Sequence, residues 1–231
     1  MELTESTNYQ VSITKEELSM LPLATFDSPI VVVDKSSDVE SAIEEIRKFP
    51  IIGFDTETKP SFSKGTRNKV SLVQISTDSN CYLFRLNKIG FKSELIKLLE
   101  DPKIIKIGLS IRDDFLNLKK LKNIKPDGFI DLQQYVKQFK IMDNSLQRIY
   151  AILFGERISK GQRMTNWEAP TLTQSQLNYA ALDAFACVKI YKYLKSGYFN
   201  PEQSDYFRKI VIIEDNLNNE FENNGKTEKI N

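Results

Sequence analysis

The run Ile51-Ile52-Gly53-Phe54 ends abruptly in Asp55-Thr56-Glu57-Thr58, and no other boundary in the chain constrains the fold as much. A short apolar run of this kind reads as a buried strand. On an extended backbone, positions i and i+2 point to the same face, so Asp55 and Glu57 sit side by side. Two carboxylates so placed raise each other's pKa unless a cation lies between them. Mg²⁺ or Mn²⁺, which take oxygen ligands, would resolve the repulsion. An isolated Asp-x-Glu at a strand end is usually solvated, so the pattern needs independent support.

The flanking pattern is an α/β alternation. Strands are expected at 30–34, 70–76, 81–84 and 103–107, with Thr77-Asp78-Ser79-Asn80 as the turn of a hairpin. Helical spacing marks 38–48, where Val39, Ala42, Ile43 and Ile46 share a stripe, and also 91–100. Ser110 is placed to cap a helix running to Leu121. Further helices are expected near 131–139, 145–154 and 173–195. Together these predict a mixed sheet flanked by helices. Residues 1–28 read as a loosely attached N-terminal arm, 29–212 as one domain, and 213–231 as a disordered tail rich in Asn, Glu and Lys.

Composition narrows the chemistry. The 231 residues contain no histidine, which removes Ser-His-Asp and Cys-His catalysis and His-ligated zinc. The two cysteines, Cys81 and Cys187, each sit in an apolar stretch and neither belongs to a C-x-x-C pair, so buried thiols are expected rather than a disulfide framework or a thiolate zinc site. The net charge of +1 neither demands nor excludes a nucleic-acid partner. The polar start, Met1 to Gln10, does not read as a signal peptide, and no apolar run is long enough to span a membrane. The expected location is cytoplasmic. A hydrolase of this composition relies on carboxylates with metal, or on tyrosine or lysine.

Two more acids stand out. In the helix after Ser110, Ile111, Phe115, Leu118 and Leu121 form an apolar stripe at about 100° per residue. Asp114 falls inside the stripe and Asp113 outside it. A carboxylate on a buried face is costly unless paired or metal-bound, which makes Asp114 the candidate ligand. In the last long helix, Tyr179 and Asp183 are i, i+4 and flank the core stripe of Leu177, Ala180, Ala184, Val188 and Tyr191, so they can address one site.

In order and spacing, Asp55-x-Glu57, Asp114 and Tyr179-x-x-x-Asp183 resemble the DEDD family of 3′–5′ exonucleases, in its Tyr-x-x-x-Asp branch (ribonuclease D and Werner exonuclease-like). The likeness covers roughly residues 30–195. Asp55-Thr56-Glu57-Thr58-Lys59-Pro60 is similar to the first motif of small stand-alone bacterial members. Thr165-Asn166-Trp167 resembles the Asn-Trp stretch of the Werner-type branch. The resemblance implies a ribonuclease-H-like fold with a mixed five-stranded sheet. It further implies two divalent ions, Mg²⁺ or Mn²⁺, held by Asp55, Glu57, Asp114 and Asp183, with Tyr179 orienting the attacking water. The substrate would be a single-stranded 3′ end of DNA or RNA.

Basic side chains that can meet phosphates are Lys59, Lys64, Arg67 and Lys69 after the first motif, Lys119, Lys120, Lys122 and Lys125 after the second, and Lys160 with Arg163 before the third. Phe62 and Trp167 are candidate stacking partners for bases. The 36 residues after Lys195 are too few for the extra helical domain common in ribonuclease D-like proteins, which tilts the expected substrate toward DNA. The alternatives are a ribonuclease D-like RNA exonuclease and an inactive nucleic-acid-binding module on the same fold. A nucleotide-binding α/β protein is disfavoured, because no G-x-x-x-x-G-K-[ST] or G-x-G-x-x-G element is present.

Overall fold

The computed structural model of the chain describes residues 5–60 and 69–213. In chain order the elements are β1 (Glu5–Val11), α1 (Lys15–Met20), β2 (Ile30–Val33), α2 (Val39–Ile46), β3 (Ile51–Thr58), β4 (Val70–Ser76), β5 (Cys81–Arg85) and α3 (Leu86–Ile89). They continue with α4 (Ser93–Leu99), β6 (Ile105–Gly108), α5 (Ile111–Lys119), β7 (Phe129–Asp131), α6 (Leu132–Tyr135), α7 (Leu146–Phe154), α8 (Gln174–Lys195) and β8 (Phe207–Ile213).

The main sheet has six strands in the order β2-β5-β4-β3-β6-β7. The pairs β3–β4 and β4–β5 are antiparallel, and β2–β5, β3–β6 and β6–β7 are parallel. The sheet is therefore mixed, as expected, but has one strand more than five. The extra strand is β7, three half-buried residues paired beside β6. A segment so short carries no periodicity to read. The β4–β5 hairpin turns as the sequence suggests: the Thr77 hydroxyl accepts from the Asn80 amide at 3.0 Å, and the Thr77 amide donates to the Asn80 carbonyl at 2.9 Å.

Two cores cover the two faces. On one, Ile52, Phe54, Val73 and Ile75 pack with residues of α2, α4 and α5. On the other, Leu72, Leu83 and Ile107 pack beneath Ala180, Ala184 and Cys187 of α8. Strands β4 and β5 are buried along their whole length, which matches a central position under helices on both sides. Gly53 lets α8 approach: a Cβ there would stand 1.9 Å from the Ala184 carbonyl oxygen.

Residues 5–28, expected as a loose arm, are instead docked. β1 pairs with β8 from Glu5↔Ile213 to Val11↔Phe207. Val11, Ile13, Leu18 and Phe26 enter the α8-side core. Thr14 and Glu17 form a capping box at the start of α1. The strand's partner lies about 200 residues away in sequence, beyond the reach of local pattern. The segment expected as a tail lies outside the described residues from 214 onward. Among the described residues, no helix is long and apolar enough to cross a membrane.

Candidate active site

Two elements meet at the Gly53 contact. Strand β3 brings Asp55 and Glu57, and α8 brings Tyr179 and Asp183 one turn apart. Helix α8 starts where it does because Thr173 and Gln176 close a capping box. With no Cβ at position 53, the helix lies close enough that carboxylate oxygens of Asp55, Glu57 and Asp183 come within 4.8 Å of one another. Glu57 and Asp183 are buried and Asp55 is half-buried.

Asp114 arrives from α5 and stands outside that trio. It lines the same cleft and accepts a hydrogen bond from the Thr56 hydroxyl. It is half-buried and Asp113 exposed, as the stripe argument requires, although Asp113 also lines the cleft. Ser110 occupies the N-cap position of α5, but its side chain does not cap the helix. It adopts a left-handed conformation with φ 62°, and its amide donates to Asp131 Oδ1 at 3.1 Å. Asp131, at the end of β7, therefore anchors the turn that aims α5 at the cleft.

The electrostatics are those of crowded, dehydrated acids. Burial, then the charges of Asp183, Asp114 and Glu57, pushes the Asp55 carboxyl far above the carboxylate range. Burial and the Asp183 charge push Glu57 up to about 8, with the Arg163 guanidinium opposing them. Burial raises Asp183 to about 7 against a hydrogen bond from Tyr179 and the charges of Arg163 and Lys160. Burial also raises Asp114 to about 6, opposed by the Thr56 bond. The Tyr179 phenol is driven above its ordinary value by burial and by Asp183. A metal-free site cannot hold all these groups ionised at neutral pH.

The acids open onto a cleft of about 470 Å³, also lined by Lys160, Arg163, Gln133 and Tyr179. None of Lys119, Lys120, Lys122 or Lys125 lines it. Lys59 pairs with Glu168 at 3.6 Å, and Lys69 is exposed. Phe62, Lys64 and Arg67 lie outside the described residues. Trp167 is fully buried and so does not present a face for stacking bases. Its ring lies 6.1 Å from that of Tyr179 and supports the tyrosine from behind. Its loop is pinned by the buried Arg85, which donates to the Pro170 carbonyl at 2.9 Å and to the Ala169 carbonyl.

Sequence reasoning missed Thr56, Gly53 and Arg85. A glycine inside a strand pattern does signal close backbone approach. The Arg85 contact, 85 residues away in sequence, leaves no such trace.

The family model described as 3'-5' exonuclease matches residues 30–197. The mouse bifunctional 3'-5' exonuclease/ATP-dependent helicase WRN is 31% identical over 184 residues, which is 75% of this chain and 13% of that protein. A 3'-5' exonuclease of Arabidopsis thaliana is 29% identical over 210 residues, 84% of this chain and 73% of that protein. The crystal structure of the Aedes aegypti Nibbler EXO domain superposes with TM-score 0.67 at 23% identity, covering 78% of this chain and 96% of that one. At that identity the likeness shows the fold, and it is the ribonuclease-H-like fold expected from the motifs.

Proposed function

This chain belongs to the 3'-5' exonuclease family, and from that premise we propose that it hydrolyses the terminal phosphodiester at the 3′ end of a nucleic-acid strand, one nucleotide at a time. The chain spans about one-eighth of the length of mouse WRN, 13%, so the proposal concerns this chain's own cleft. The observation that carries it is the convergence of carboxylate oxygens of Asp55, Glu57 and Asp183 to within 4.8 Å at the cleft.

The donor set fits hard divalent cations. It is all oxygen, and the Cys187 thiol lining the cleft is held protonated by burial, so no soft ligand competes. Asp55, Glu57, Asp114 and Asp183 would hold two Mg²⁺ or Mn²⁺ ions. When bound, these supply an activated water and charge stabilisation for the departing 3′ oxygen.

The chain's own residues do the rest. Arg163 and Lys160 present positive charge to a phosphate entering the cleft. Thr56 holds Asp114 in one orientation. Tyr179, with its raised pKa, keeps its proton at neutral pH. That O–H is donated to Asp183 in the metal-free site, and once Asp183 holds a cation it would be released to orient water rather than act as a base. Trp167 behind it limits the positions its ring can take.

The test is a degradation ladder on 5′-labelled single-stranded DNA, matched RNA and a recessed duplex, each with Mg²⁺, Mn²⁺ or EDTA. Shortening from the 3′ end that is lost with EDTA and in Asp55→Ala supports the proposal, and the faster substrate names the sugar. Strand and metal binding without cleavage of any substrate would replace it with a binding module.

A further inference from the structure

Gln74 sits in the middle of β4 with no exposed surface. Its Cα pairs with that of Asp55 across the antiparallel β3–β4 ladder. Directly opposed residues project to the same face, with Cβ atoms about 5 Å apart. The alternation agrees: Leu72 packs in the core under α8, while Val73 and Ile75 pack in the core on the opposite face. On its other side Gln74 pairs with Leu83, which is apolar. Of its two cross-strand neighbours, only Asp55 can exchange a hydrogen bond with it.

Among the described residues, neither Nε2 nor Oε1 of Gln74 has a hydrogen-bond partner. Leaving a dehydrated amide unsatisfied is destabilising, and a methionine would fill the same space without that cost. A residue that weakens the resting protein while facing a metal-ligating carboxylate is the arrangement expected of a group whose partner is completed on binding.

We propose that Gln74 is a positioning residue for Asp55: its amide N–H donates, directly or through one ordered water, to the Asp55 carboxylate and holds that ligand in one orientation toward the cation. The role rests on the metal-binding reading of the site. An ionised carboxylate has two oxygens and about four lone-pair sites, so a cation leaves acceptor capacity for the amide. A neutral donor suits the place, because a lysine there would compete with the cation for the carboxylate.

The experiment compares wild type with Gln74→Met. Mn²⁺ affinity is measured by calorimetry without substrate, kcat and KM at saturating Mn²⁺, and melting temperature in EDTA. The expected result is Mn²⁺ affinity weaker by roughly 10–100-fold, a lower kcat with KM unchanged, and a melting temperature no lower than wild type. Unchanged Mn²⁺ affinity in the variant, beside a wild type that binds and cleaves, overturns the role of Gln74 alone. A wild type that takes up no Mn²⁺ overturns the metal reading and this role with it. Should Gln74→Met fail to fold, the side-chain amide resonance of Gln74 is followed by NMR in wild type as Mg²⁺ is added. A shift with slower amide exchange supports the role, and an unmoved resonance overturns it.

Discussion

Replacing Glu57 with Gln should stabilise the metal-free protein and abolish hydrolysis. Burial first, and the Asp183 charge second, raise the Glu57 carboxyl from 4.5 to about 8. The unfolded chain releases this proton near its ordinary value. Between those two pH values the folded state therefore holds more proton than the unfolded one, and stability falls as pH rises. The contribution is fully present below the unfolded value and is lost as pH climbs through the folded one. At pH 7, about 2.5 pH units above the unfolded value, the penalty is about 3 kcal/mol at ~1.4 kcal/mol per unit. Gln keeps the shape and never ionises, so Glu57→Gln removes the penalty. In a domain of this size that is a rise in Tm of about 6–12 °C at neutral pH. The rise should shrink toward zero near pH 5. Melts followed by circular dichroism in EDTA at pH 5 and pH 7.5 read it directly. Added Mg²⁺ should then raise the Tm of wild type more than that of the variant, because the cation relieves the same repulsion. A variant that melts at or below wild type in EDTA at pH 7.5 would refute the account of a strained, ion-seeking site. So would an advantage independent of pH.

The other predictions concern parts of the same cleft. Tyr179→Phe should lower kcat by about 10²–10³-fold, as losing one oriented hydrogen bond in a transition state does, while leaving Mn²⁺ affinity intact; calorimetry showing lost metal binding would argue against an orienting role. Gly53→Ala places a methyl 1.9 Å from the backbone oxygen of Ala184, and should destabilise by about 3 kcal/mol or more and separate Asp55 from Asp183; urea melts and Mn²⁺ titration check both effects. Ser110→Gly should relieve the left-handed backbone at φ 62° and stabilise by about 1 kcal/mol; an equal or lower urea midpoint would show that the serine side chain contributes more than the strain removes.

The local arithmetic of this site was legible in the chain. Spacing of two put Asp55 and Glu57 on one face, the apolar stripe of α5 buried Asp114 more deeply than Asp113, and spacing of four joined Tyr179 to Asp183. Each is a statement about one element, and the periods of strands and helices are set by the backbone alone. The alternation of those periods also sufficed for a mixed sheet between helices. Tertiary structure decided what no single element contains. The convergence of β3 with α8 depends on a missing Cβ at Gly53 and an alanine carbonyl 131 positions later. Trp167 became support for Tyr179 rather than a base platform because Arg85 ties its loop down from another strand. The N-terminal segment became a strand because β8 offers it a partner, and β7 became the sixth strand because β6 does. Hydrogen-bonding edges and packing surfaces are supplied by distant parts of the chain. A residue's own neighbours therefore determine which way its side chain points, and only the assembled fold determines what it meets.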